Sequence, residues 1–249
     1  MRIIIAKDYN DMSKKAANMV AAQILLKPNS VLGLATGSTP LMTYKYLIKL
    51  VNDETISLRE VVTFNLDEYV GIQPSNINSY HYYMQDNFFK YIDIRTENIY
   101  IPSGSSENIQ NECIQYEETI HLKGGIDFQI LGIGNNGHIG FNEPDLKFEA
   151  VTHPIDLDEE TIKANSRFFK SEEEVPKKAI TMGVKTIMNA RKVILLANGI
   201  GKAETIFKSI YGKIDPNLPA SILQLHPDVT FILDRESAKL LPEITNIVN

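Results

Sequence analysis

The sequence predicts an α/β fold built on an open, mainly parallel sheet with helices on both faces. Two observations carry this. Apolar, strand-like runs alternate with segments of helical period along the whole chain. The runs are continuously apolar rather than alternating, as expected of strands buried on both sides. Taken in order, strands are expected at residues 2–6, 31–35, 61–66, 98–101, 128–133, 192–197 and 229–233. Helices are expected at 9–26, 40–51, 79–89, 107–121, 178–189, 202–210 and 237–241. Crossovers should be right-handed.

No repeat, low-complexity tract or Pro/Gly/Ser linker divides the 249 residues, so one domain spanning 1–249 is expected. Residues 156–178 break the rhythm: this stretch is charged and weakly amphipathic. It reads either as a solvated surface helix and loop or as a lid over a substrate. Hydrophobic residues make up 43%, ample for a large core, and the net charge of −6 does not indicate a nucleic-acid surface. The single cysteine, Cys113, excludes an intramolecular disulfide and fits a reducing compartment. It shares a helical face with Ile109, Tyr116 and Ile120, which marks it as a buried spacer. There is no 18-residue apolar run for a membrane span, and the start lacks the pattern of a secretory signal. A cytoplasmic location is the expectation.

In open α/β sheets ligands bind beyond the carboxyl ends of the strands. Four such ends carry chemistry. The richest is Gly132–Pro144, where glycines lead into Asn136, His138 and Glu143. These side chains can donate, accept or shuttle protons near neutral pH. Gly132, Gly134 and Gly137 also spell the dinucleotide fingerprint, but His-Ile-Gly-Phe-Asn-Glu-Pro follows, a poor helix start. Thr36-Gly37-Ser38-Thr39-Pro40 offers backbone N–H groups, hydroxyls and a helix start for a phosphate, with Ser38 or Thr39 as the helix N-cap. Asp67 and Glu68 could serve as a base, metal ligands or a structural cap; without further convergent ligands, one carboxylate acting as a base is favoured. Lys202 sits at a helix start, where the macrodipole disfavours a cation, which hints at anion binding. Arg167 could clamp a phosphate bidentately. His81 and His121 fall in expected helices, His153 and His226 in pre-proline turns, and no metal site is expected from them.

Together, Leu34–Pro40, Asn65–Tyr69, Leu131–Gly134 through Asn142-Glu143-Pro144, Ala164–Phe169 and Ser221–His226 resemble the glucosamine-6-phosphate deaminase (isomerase) family, in family order over nearly the whole chain. The resemblance implies a Rossmann-like fold without a nucleotide. It also implies conversion of D-glucosamine 6-phosphate and water to D-fructose 6-phosphate and ammonia, with no metal or organic cofactor. It casts Asp67 as the base that moves a proton from C2 to C1. His138 becomes the ring-opening group, with Glu143 orienting it. Gly37, Ser38 and Thr39, with Arg167 and Lys202, hold the phosphate. Asn136 departs from the many relatives that carry aspartate there, which implies a differently tuned histidine. The serines and Arg-x-Lys element of allosteric relatives are absent from Asp145–Ile155, and the chain ends soon after Leu241. Activation by N-acetylglucosamine 6-phosphate is therefore not expected, and a monomer or small homo-oligomer is. The rival readings are a sugar-phosphate lactonase of the same fold, a galactosamine-6-phosphate deaminase, and a catalytically silent sugar-phosphate sensor.

Overall fold

The structure is a computed structural model that describes residues 1–166, 169 and 171–242. Among these, the strands in chain order are β1 (Arg2–Ala6), β2 (Val31–Leu34), β3 (Val62–Asn65), β4 (Asp67–Tyr69), β5 (Ile99–Tyr100), β6 (Phe128–Leu131), β7 (His153–Asp156), β8 (Lys178–Thr181), β9 (Lys192–Ala197) and β10 (Val229–Asp234). Seven form one sheet in the order β1-β10-β9-β6-β2-β3-β5, every pairing parallel. From β2 the chain builds outward through β3 and β5. From β6 it builds the other way, through β9 to β10, which lies against the first strand, β1, at the edge. The order therefore reverses between β2 and β6, and a crevice opens beyond the carboxyl ends of these two strands.

The helices are α1 (Tyr9–Leu26), α2 (Leu41–Asn52), α3 (Tyr80–Asn87), α4 (Ile109–Leu122), α5 (Glu159–Asn165), α6 (Val184–Met188) and α7 (Ala203–Tyr211). They cover both faces because strand side chains alternate. Leu32, Phe128, Ile130, Ile194 and Ile232 join Met12, Ala16 and Val20 of α1 and Tyr44 and Leu47 of α2 in one core. Val31, Leu131, Leu195 and Phe231 join Tyr116 and Ile120 of α4 and Ile206 of α7 in the other. Each large aliphatic side chain removed from water contributes about 1.5–3 kcal/mol. Helix α1 begins where Asp8 accepts from the Asp11 N–H at 2.9 Å, a side-chain N-cap. Cys113 is buried in α4, and burial pushes its thiol up to about 11, which suits a spacer. No helix among the described residues is long and apolar enough to cross a membrane.

Three expectations need correction. Residues 178–189 are not one helix: Lys178–Thr181 is β8, and α6 begins only after Gly183. Strand β8 lies between β4 and β7 in a small antiparallel sheet that the parallel rhythm did not announce. The small sheet takes His153, expected in a turn, into edge strand β7, where Pro154 costs no central ladder bond. Residues 237–241 form turns rather than a helix, because Asp234 captures the Ser237 N–H at 2.8 Å and the Ser237 hydroxyl donates to the Ala197 carbonyl.

Candidate active site

The crevice at the strand reversal is a cavity of about 430 Å³. Thr36, Gly37, Ser38 and Thr39 line it from the end of β2, and Asp67 from β4. Asn136 and His138 line it from the loop after β6, and Lys202 from the turn after β9. The structure thus gathers residues from four strand ends. Arg167 lies outside the described residues.

A Cβ on Gly134 would lie 2.4 Å from the His138 ring, so only glycine lets the imidazole fold back on the loop. Glu143 does not line the cavity. It lies buried behind the histidine, where its Oε2 accepts from Asn136 Nδ2 at 2.9 Å and faces His138 Nδ1 at 3.1 Å. Asn136 Oδ1 in turn accepts from the His138 backbone N–H at 3.2 Å. Burial acts to raise the Glu143 pKa, but the hydrogen bond and charge of His138, with help from Thr161 and Asn136, outweigh it and hold the carboxyl below its ordinary value. An ionised Glu143 can only accept, so Nδ1 carries the proton and Nε2 is left as the basic nitrogen.

Asp67 and Glu68 are adjacent, buried and differently used. Glu68 accepts the backbone N–H groups of Tyr69, Tyr80 and His81 at 2.9–3.0 Å, closing the start of α3. It is the structural cap of the pair. Asp67 faces the cavity, and burial pushes its carboxyl up to about 8, with the Glu68 charge adding to the effect. Tyr69, Tyr80 and Phe141 pack together beside it.

The β2 loop is shaped by tyrosines. Tyr83 donates to the Gly37 carbonyl at 2.6 Å and Tyr9 to the Ser38 carbonyl at 2.8 Å. Gly37 has φ +96°, a conformation that favours glycine. Neither Ser38 nor Thr39 caps α2, contrary to expectation: Pro40 occupies the N-cap, without a side-chain bond, and the Thr39 hydroxyl donates to Asn198 Oδ1 at 3.2 Å. Lys202 does stand at the N-cap of α7, as expected.

Four lining residues were not singled out in the sequence: Tyr80, Thr161, Asn165 and Asn198. Asn198 follows a strand and could have been found by position. Thr161 sits on α5, inside the charged 156–178 stretch, where nothing local marks it; Asn165, on the same helix, falls in the Ala164–Phe169 segment of the resemblance without a role of its own. The assembled chemistry is a buried carboxyl and a carboxylate-backed imidazole on one cavity, with a hydroxyl-rich loop and an ammonium for an anion.

The model of the family described as glucosamine-6-phosphate isomerases/6-phosphogluconolactonase matches residues 7–231. A glucosamine-6-phosphate deaminase of Clostridium acetobutylicum is 59% identical over 241 residues, covering 97% of this chain and 100% of its own. The solved structure of a monomeric glucosamine-6-phosphate deaminase is 46% identical, with a TM-score of 0.94, over 96% of this chain and 100% of its own. A 6-phosphogluconolactonase from Trypanosoma cruzi, 22% identical with a TM-score of 0.75 over 96% of each chain, shares the fold.

Proposed function

The chain belongs to the family of glucosamine-6-phosphate isomerases and 6-phosphogluconolactonases, and from that membership we propose that it is a glucosamine-6-phosphate deaminase. It converts D-glucosamine 6-phosphate and water to D-fructose 6-phosphate and ammonia. The observation that carries this reading is Asp67, a buried carboxyl on the same cavity as His138. A lactonase adds water to an ester carbonyl and needs no carbon base. A silent sensor needs neither group.

The sugar phosphate binds with its anion among Gly37, Ser38, Thr39 and Lys202, and Arg167 is assigned to the same group. The basic Nε2 of His138 takes the proton of the C1 hydroxyl and returns one to the ring oxygen, opening the ring. Ionised Glu143 stabilises the imidazolium formed midway, and Asn136 holds Glu143 in place. Asp67, in the ionised form whose share grows as pH rises towards 8, takes the proton from C2 of the open aldehyde. With a proton supplied to the C1 oxygen, this gives a C1–C2 enolamine. Asp67 returns its proton to C1, leaving a protonated imine at C2, whose extra proton is the one supplied to the C1 oxygen and is released again with the ammonia. Water adds to that carbon, and ammonia leaves as the ketone forms. Every step is a proton transfer or the addition or loss of a small molecule, so the reaction balances without an organic cofactor. A carboxylate of raised pKa is a stronger base than an exposed one, which suits removal of a weakly acidic C–H proton.

Residues 156–178 are assigned as a lid. The support is that Thr161 and Asn165 line the cavity while Leu157, Ile162 and Phe169 pack in one cluster with Tyr69 and Phe141. A cytoplasmic, non-allosteric monomer or small oligomer completes the proposal. An ammonia-release assay tests it, with glucosamine 6-phosphate, galactosamine 6-phosphate and 6-phosphogluconolactone in parallel. Ammonia from the first substrate alone is expected. Faster release from the galacto epimer, or acid release from the lactone with no ammonia from either amino sugar, would overturn it.

A further inference from the structure

Glu143 has two oxygens and uses one. Oε2 serves both Asn136 and His138, while Oε1 is buried with no hydrogen-bond partner among the described residues. A buried oxygen of an ionised carboxyl without a donor is unfavourable and persists only where something retains it.

A hydroxyl stands close by. Thr161 of α5 is buried and lines the cavity, and its Oγ1 lies 3.5 Å from His138 Nδ1, the long limit of a hydrogen bond. It is near enough to Glu143 to help hold that carboxyl in its ionised form. The helix around it is seated on the site at two more points. Ile162 packs into the cluster of Tyr69, Ile72 and Phe141, and Asn165 lines the cavity. The helix is therefore aligned with the Glu143–His138 pair, its hydroxyl beside a carboxylate that has one oxygen unserved.

We infer that Thr161 is a positioning residue: its hydroxyl, held by α5 against the Glu143–His138 pair, supplies the donor that the Glu143 carboxylate otherwise lacks and fixes His138 for ring opening. This rests on the ring-opening role given above. With that donor in place, Glu143 presents less unshared charge to the imidazole, so the imidazolium releases its proton more readily to the ring oxygen. Among the described residues, the other charged groups lining the cavity, Asp67 and Lys202, stand on β4 and the turn before α7, and a change at Thr161 leaves both in place.

The test compares Thr161→Val, which keeps the shape and removes the hydroxyl, with Thr161→Ser, which keeps the hydroxyl. Turnover of glucosamine 6-phosphate is measured alongside the His138 titration by NMR, assigned against a His138→Gln control, with and without inorganic phosphate. Thr161→Val should lower kcat about tenfold, the worth of one hydrogen bond to a charged group, with KM changed by less than about twofold. It should also raise the pH at which His138 titrates. Thr161→Ser should keep both near the starting values. Thr161→Val with normal kcat and an unmoved titration would overturn the inference. So would a Thr161→Ser variant as impaired as Thr161→Val, since the methyl packing would then be the cause. The titration needs no turnover, so a shifted His138 in a protein that releases no ammonia would support the Thr161 link while sinking the proposed reaction.

Discussion

Asn136 and His138 converge on the same oxygen of Glu143, Nδ2 at 2.9 Å and Nδ1 at 3.1 Å. The asparagine spends its amide on the carboxylate and its carbonyl on the histidine backbone, so it holds the pair without charge. Asn136→Asp would exchange that donor for a second carboxylate. Two neighbouring anions should favour the charged imidazolium over the neutral ring. The pH–rate profile should move with it. A profile and an NMR titration both unmoved would show that Asn136 does not tune the histidine.

Asp67 should cost the protein stability. Its carboxyl rises from 3.8 to about 8 on folding, so between those values the unfolded chain has released a proton that the native state keeps. Native stability therefore falls as pH rises through that window. Asp67→Asn should be more stable than the parent by on the order of a few kcal/mol at pH 8, with the difference shrinking towards pH 4. Urea melts across this range read it directly. Equal stability at every pH would mean that the carboxyl is not desolvated.

The anion should be held by discrete positive groups. Lys202→Ala and Arg167→Ala should each weaken substrate binding by about 1.5–3 kcal/mol, the scale of a charge-assisted hydrogen bond. A chelator should leave activity unchanged in parent and variants. Activity lost in chelator and restored by a divalent metal would reveal a metal role missing from this account.

Kinetics should be hyperbolic and indifferent to N-acetylglucosamine 6-phosphate. Allostery requires a second site whose ligand binds two global states differently. The region after Pro144 offers little for a second phosphate. Lys147 is paired with Glu149 at 2.6 Å, and the His153 ring is engaged by the Val151 carbonyl at 2.8 Å. A sigmoidal rate curve that the acetylated sugar phosphate makes hyperbolic would contradict this.

The parallel sheet was legible because each of its longer strands is a continuous apolar run, and burial on both faces leaves that mark in any one segment. The antiparallel sheet was not, because its signal is spread over three distant pieces. Asp67–Tyr69 is three residues long, His153–Asp156 contains a proline, and Lys178–Thr181 runs into a helical pattern. It is defined only once the three pieces pair, with Lys178–Thr181 between the other two and Thr181 facing Asp67 on one side and His153 on the other. The strand-end residues Asp67, Asn136, His138 and Lys202 were readable from their polar chemistry after apolar runs. Separating Asp67 from Glu68 required the start of α3, which takes up Glu68. Thr161 was invisible for the same reason: its significance comes from a histidine 23 residues away.

In the proposed reaction one carboxyl, Asp67, carries both halves of the isomerisation. Hydrogen exchange at C2 tests it most directly, with glucosamine 6-phosphate in deuterated buffer and the parent protein beside Asp67→Asn. The parent should exchange the C2 hydrogen and label C1 of the fructose 6-phosphate product. The variant should bind inorganic phosphate normally and exchange no C2 hydrogen above the uncatalysed background. Near-normal C2 exchange in Asp67→Asn would assign the carbon base to another residue.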